Sequence, residues 1–157
     1  EESSRIVARV VAARRQGDHV AYVVECTAGG ITWRVLRRFS QFDKLHNALL
    51  QEYAKERLPP LPPKSTPLLQ SKFDKDFLEE RQRALDVYLG RVTGVVRIQL
   101  SDTLDDFLEF SEHYIAGTMA SLRGISELAD AVNALQMQLS GRGARAKVAS
   151  GGAGGDG

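Results

Sequence analysis

Four groups of residues in this chain have the types and spacing to hold a phosphorylated ring. Arg37-Arg38-Phe39 stands directly before a helical pattern that opens Ser40-Gln41-Phe42-Asp43. Arginine meets phosphate oxygens bidentately, each charge-assisted hydrogen bond contributing about 1.5–3 kcal/mol. A helix N-terminus beside it adds unpaired N–H groups and the positive end of the dipole. Alternation does not decide which arginine points inward, because Val35 and Leu36 are both apolar, and a solvated strand end is the competing account. Phe39 is either a core aromatic or a stacking face for a sugar-like ring.

Arg81 is the most informative single residue. Phe73, Phe77, Leu85, Tyr88 and Val92 form one helical stripe, and Arg81 lies four residues after Phe77 and four before Leu85. A charge on such a stripe needs a partner. A structural carboxylate, an escape to solvent and an anion pocket are the three alternatives. Between the two helices runs Leu58-Pro59-Pro60-Leu61-Pro62-Pro63-Lys64. Polyproline II is its natural geometry. It fits a ligand for an SH3 domain, a rigid arm that aims Lys64 at a pocket of its own domain, or a stiff linker. Leu68 and Leu69 follow on a loop that either packs as a satellite contact or dips into a lipid interface, where each leucine could add about 1.5–3 kcal/mol.

These residues need a frame. Arg5–Ala13 is valine-rich and reads as a strand that turns through Arg15-Gln16-Gly17-Asp18. His19–Thr27 alternates Val20, Tyr22, Val24 and Cys26 on one face. After Gly29-Gly30, Ile31–Arg37 gives a third strand with Trp33 and Val35 on one side. Three strands on short turns make an antiparallel meander. Phe42, Leu45, Leu49 and Tyr53 take helical spacing, with Ser40 as expected N-cap and Asp43 in the first turn. A second helix is predicted over about Lys72–Val92, and a short one from Ser101-Asp102 carries Leu104, Phe107 and Leu108. Apolar residues at 115, 119, 122, 125, 128, 132, 135 and 139 define an amphipathic helix. From Gly141 the composition has little to bury and predicts disorder.

Composition narrows the function. The chain has 157 residues, 43% hydrophobic and 26% charged, enough for one good core. Residues 1–98 hold 17 Lys+Arg against 12 Asp+Glu, and residues 99–157 hold 4 against 8. A basic body favours an anionic partner. Cys26 is the sole cysteine, so no internal disulfide forms, which fits a reducing compartment. No apolar run approaches the roughly 20 residues of a membrane span, and the acidic start lacks a secretory pattern. His19, His46 and His113 lie in different segments, His46 on the first helix's apolar side. HExxH, a Gly-rich phosphate loop, a cysteine cluster and a nucleophile elbow are all absent from the sequence. No catalytic residue, metal or cofactor is expected. Aromatics at 7% and mostly on apolar stripes argue against nucleic acid.

Taken in order, these motifs resemble the phox-homology (PX) domain, the phosphoinositide-binding module of sorting nexins, over roughly Ser4–His113. Arg37-Arg38-Phe39-Ser40-Gln41-Phe42 with Leu45 resembles its arginine-arginine-aromatic signature. Leu58–Lys64 resembles its hydrophobic-Pro-x-x-Pro-x-Lys loop. Glu80–Leu85 with Tyr88-Leu89 resembles its arginine-bearing helix, and Leu104-Asp105-Asp106-Phe107-Leu108 its closing helix. The resemblance implies an α+β fold, a three-stranded antiparallel sheet packed against a helical subdomain with a proline-rich loop. It implies a pocket for phosphatidylinositol 3-phosphate (PI3P). Arg38 would bind the 3-phosphate, Phe39 would stack on the inositol ring, Lys64 would reach the 1-phosphate and Arg81 the 4- and 5-hydroxyls. Leu68 and Leu69 would fall in the membrane-inserting loop, and Arg37 is left as a surface charge. Phe39 stands where tyrosine is commoner, and Gln82 where a second basic residue is frequent.

The expected organisation is a PX-like domain over 4–113, an amphipathic helical extension over 114–140 and a disordered Gly-rich tail over 141–157. The expected function is PI3P binding that recruits a parent protein peripherally to the cytosolic face of endosomes, in sorting and protein transport. The alternative is a protein-interaction module, through an SH3 domain on Pro59–Lys64 or a coiled-coil partner on the 115–139 helix. A third reading places an enzyme in a domain outside this sequence.

Overall fold

The computed structural model describes residues 5–64 and 73–150, with side chains through residue 142. Its elements in chain order are β1 (Val7–Gln16), β2 (His19–Ala28), β3 (Ile31–Arg38), α1 (Phe39–Glu52), α2 (Lys75–Thr93), α3 (Val96–Gln99), α4 (Asp102–Leu108) and α5 (Phe110–Ser150). The sheet is the expected antiparallel meander, β1-β2-β3. Both hairpins turn in two residues. Gly29 and Gly30 both take positive φ, +53° and +79°, the requirement of the hairpin turn whose twist matches its strands. Gly17 opens the other turn at φ +64°.

The register sets the two faces. Tyr22 pairs with Arg37, Val24 with Val35 and Cys26 with Trp33. This is the core face, and Tyr22, Val24, Cys26, Trp33 and Val35 are all buried. Arg37 therefore continues the Trp33–Val35 row, whereas Arg38 stands opposite Ala21. Phe42, Leu45 and Leu49 of α1, Leu85, Tyr88, Leu89 and Val92 of α2, and Leu104, Phe107 and Leu108 of α4 close the core against that face. A bulge between Val10 and Ala12 interrupts the β1–β2 ladder. Beside it the Val10 N–H donates to Asp86 Oδ1 at 2.8 Å, and Arg9 grips both oxygens of the same carboxylate at 3.2 and 3.3 Å. One acid thus ties β1 to α2.

Helix ends follow local chemistry with one correction. Asp74 caps α2 by accepting from the Phe77 N–H at 3.1 Å, and Ser101 caps α4 by accepting from the Leu104 N–H at 3.1 Å. Ser40 does not cap α1. The helix starts at Phe39 with Arg38 in the N-cap position, and the Gln41 amide oxygen reaches back to the Arg38 N–H at 2.8 Å. Arg37 is not a surface charge. Its Nε donates to the Phe107 carbonyl at 2.8 Å, Nη1 donates to the Leu36 carbonyl at 2.8 Å, and Nη2 lies 3.5 Å from Glu109 Oε1. The indole N–H of Trp33 donates to the Leu108 carbonyl at 2.8 Å. Two β3 side chains thereby satisfy carbonyls that the C-terminus of α4 leaves open, where Glu109 turns the chain at φ +53°.

The chain divides into two compact units, residues 1–115 and 116–157. Helix α5 runs to Ser150, so helix continues past Gly141, where composition had predicted disorder. Its Met119, Leu122, Ile125, Leu128, Val132, Leu135 and Leu139 are exposed. Among the described residues, no helix is long and apolar enough to cross a membrane.

Candidate functional site: a guanidinium-lined cleft

Pairing of Ala21 with Arg38 brings the start of β2 beside the end of β3. The β1–β2 turn, the β3–α1 junction and the middle of α2 meet there around a cleft of about 170 Å³. Asp18, His19, Val20 and Tyr22 line it from the hairpin, Arg38, Phe39 and Ser40 from the junction, and Leu78 and Arg81 from α2.

Three of the expected residues, Arg38, Phe39 and Arg81, therefore share one wall system. Arg81 is half-buried. Its guanidinium carbon lies 4.0 Å from the centre of the Phe39 ring and 4.6 Å from that of Phe77. Such cation–π contacts hold a cation without neutralising it. Its Nη2 donates to the carbonyls of Pro63 at 2.7 Å and Lys64 at 3.1 Å. Among the described residues no carboxylate pairs with it. Burial pulls the Arg81 guanidinium below its ordinary value, opposed by the neighbouring Tyr22 hydroxyl, which favours the cation. Burial likewise pushes Tyr22 up, and Arg81 holds it back. Among the described residues Arg81 is thus a cation held at a cleft by rings and carbonyl dipoles, with no paired carboxylate.

Arg38 is exposed and has no ion pair among the described residues, in contrast to Arg37. Lys64 reaches this region through its carbonyl on Arg81; its side chain is exposed and is not among the cleft's lining residues. Leu58 and Leu61 pack on the core and anchor the arm. Leu68 and Leu69 lie outside the described residues. Sequence reasoning did not place Asp18, His19 and Tyr22 at the site. The signal was present in the β2–β3 register, since the two-residue turn at Gly29-Gly30 pairs Ala21 with Arg38 and so sets residues 18–20 level with the end of β3.

His46 and His113, outside the cleft, have structural partners. His46 Nδ1 and the Tyr88 hydroxyl are 2.8 Å apart. His113 stacks on Trp33 and lies 3.3 Å from Glu109. The Cys26 thiol is buried and its pKa is pushed up to about 12 by desolvation, so it is a poor nucleophile. Among the described residues no group of His, Cys, Asp and Glu has the arrangement of a metal site.

The family model of the PX domain matches residues 26–111. Sorting nexin-3 of Schizosaccharomyces pombe is 38% identical over 79 residues, 50% of this chain and 53% of that protein. Sorting nexin 1 of Arabidopsis thaliana is 36% identical over 78 residues, 50% of this chain and 19% of that protein. A PX domain-containing protein kinase-like protein of Mus musculus is 29% identical over 129 residues, 80% of this chain and 21% of that protein. The chain thus spans between 19% and 53% of the length of these relatives. The X-ray structure of a designed CISK-PX domain superposes with a TM-score of 0.60 at 31% identity, covering 65% of this chain and 97% of that one. Matched over more than half its length and sharing the meander-and-helix fold, the chain belongs to the PX domain family, whose members are in general phosphoinositide-binding modules of membrane trafficking without enzymatic activity.

Proposed function

We propose that the chain binds PI3P in the cleft between the β1–β2 turn, the β3–α1 junction and α2, and so recruits its parent protein to endosomal membranes. The observation that carries this reading is Arg81, a half-buried guanidinium stacked on Phe39 with no carboxylate partner among the described residues. Acceptor oxygens of a head group in the cleft would complete its coordination. Arg38 takes the 3-phosphate, exposed at the N-terminus of α1 where helix N–H groups add to its charge. Phe39 stacks on the inositol ring, and Arg81 donates to the ring hydroxyls. Lys64, carried by the proline arm, meets the 1-phosphate. Leu68 and Leu69 enter the interface, and together with the basic groups they give reversible attachment.

Two guanidiniums, Arg38 and Arg81, line the cleft. That pair suits one phosphate in the pocket better than several, and favours PI3P over multiply phosphorylated lipids. The SH3-ligand reading has less support, because Pro59 and Pro62 are half-buried and Leu61 between them packs on the core. Flotation with liposomes carrying each singly or multiply phosphorylated phosphoinositide tests the proposal. Strongest flotation with PI3P is expected. Equal flotation with every lipid, or with phosphoinositide-free vesicles, would overturn it.

A further inference from the structure

Helix α5 carries an apolar stripe that nothing in the described residues covers. Ile125, Leu128, Val132, Leu135 and Leu139 are each between 46% and 66% exposed. Helices of this kind gain little from propensity and most of their stability from covering such a face. Three occupants differ in the charges they require. From Ala116 to Leu139 the only charged side chains are Arg123, Glu127 and Asp130. A helix lying on an anionic membrane needs a basic polar face, and this one is slightly acidic. A differently charged partner helix would be selected by charges flanking the seam. The flanking positions here are Ala129, Ala131, Gln136 and Gln138. A second copy presents the same small, neutral flanks and meets no like-charge repulsion.

We propose that α5 is a self-association helix, through which two copies of the chain pair in parallel. Ile125 and Val132 fall at one set of seam positions and Leu128 and Leu135 at the other. β-Branched residues alternating with leucine in this order favour two parallel strands. The seven steps from Ile115 to Leu139 cover 24 residues, or about 3.4 residues per step. A period below 3.6 winds the pair left-handed. The seam is short, so association is weak and depends on concentration. Pairing would put two head-group clefts on one particle, and a membrane would then bind the second at high effective concentration. That consequence rests on the proposed lipid site; the pairing itself does not.

Sedimentation equilibrium of the whole chain, without lipid, tests the pairing. A monomer–dimer equilibrium is expected at micromolar to millimolar concentration. Leu128→Glu should raise the dissociation constant about tenfold or more by placing a carboxylate in the seam. Met137→Glu, on the opposite face at 77% exposure, should leave it unchanged. Ile125→Cys reports orientation, since a parallel pair sets the two thiols side by side and an antiparallel one separates them, while the native Cys26 is buried. Rapid interchain disulfide formation supports the proposal. A monomer at all concentrations overturns it, as does a dimer insensitive to Leu128→Glu or one that Ile125→Cys does not cross-link. Loss of lipid binding with the dimer intact would count against the cleft and leave the pairing standing.

Discussion

Two regions meet at the end of β3 and treat adjacent arginines in opposite ways. On the α4 side, Arg37 lies in the row of Trp33 and Val35, is 13% exposed, and donates to two carbonyls beside Glu109. On the cleft side, Arg38 is exposed without an ion pair among the described residues, across from a half-buried Arg81 that also lacks a carboxylate. The first region satisfies its charge within the protein. The second gives Arg81 two carbonyls as well, but no carboxylate pairs with Arg38 or Arg81 among the described residues. Charge number does not separate the two regions; what separates them is that the fold places a carboxylate, Glu109, beside Arg37.

Substitution at Arg38 should break that contrast most severely. Arg38→Ala removes about two charge-assisted hydrogen bonds to phosphate and should weaken binding to PI3P liposomes about a hundredfold. Its melting temperature should stay within about 2 °C, because no described side chain depends on it. Arg37→Ala should do the reverse. It leaves the Phe107 carbonyl without its donor and should cost about 2 kcal/mol in urea unfolding. Lipid affinity of the folded fraction should be preserved.

Arg81→Lys keeps the charge and loses the planar guanidinium whose Nη2 donates to both arm carbonyls and which stacks on Phe39. Lipid affinity should fall about tenfold, and trypsin should cut after Lys64 faster than in the parent chain. Lys64→Ala should weaken liposome binding only severalfold, in keeping with about 1 kcal/mol for one basic group at an anionic surface.

The smallest effect concerns the structural side. Desolvation raises the Cys26 thiol from its usual 9.0 to about 12. Above pH 9 the unfolded chain loses this proton while the folded chain keeps it, so stability falls as pH rises. Between pH 9 and 10, below the ordinary value of 10.0 around which the unfolded Tyr22 and Tyr88 hydroxyls add the same kind of loss, the melting temperature should decline. The decline should flatten in Cys26→Ala.

Much of the frame was legible in the sequence because local chemistry determines it. Gly17-Asp18 and Gly29-Gly30 mark the hairpins, Ser101 caps α4, and alternation in β2 names its core face. Arg81 stood out because a charge on an apolar stripe breaks a pattern. The faces of Arg37 and Arg38 were not legible, since Val35 and Leu36 are both apolar and only the Tyr22–Arg37 pairing puts Arg37 in the core row. Ser40 misled because Gln41 reaches back to the Arg38 N–H and starts the helix earlier. The partners of Arg81, two carbonyls 17 and 18 residues away, belong to tertiary structure. Gly141 was read as the start of a tail because composition weighs the cost of glycine and cannot see the helix it prolongs.

The most direct test follows the arginine Nε–H signals by nuclear magnetic resonance while soluble short-chain PI3P is added. Arg38 and Arg81 should shift with saturation, and Arg37, held by the Phe107 carbonyl, should stay in place. Movement of Arg37 with Arg38 and Arg81 unmoved would contradict the division of duties on which the account rests.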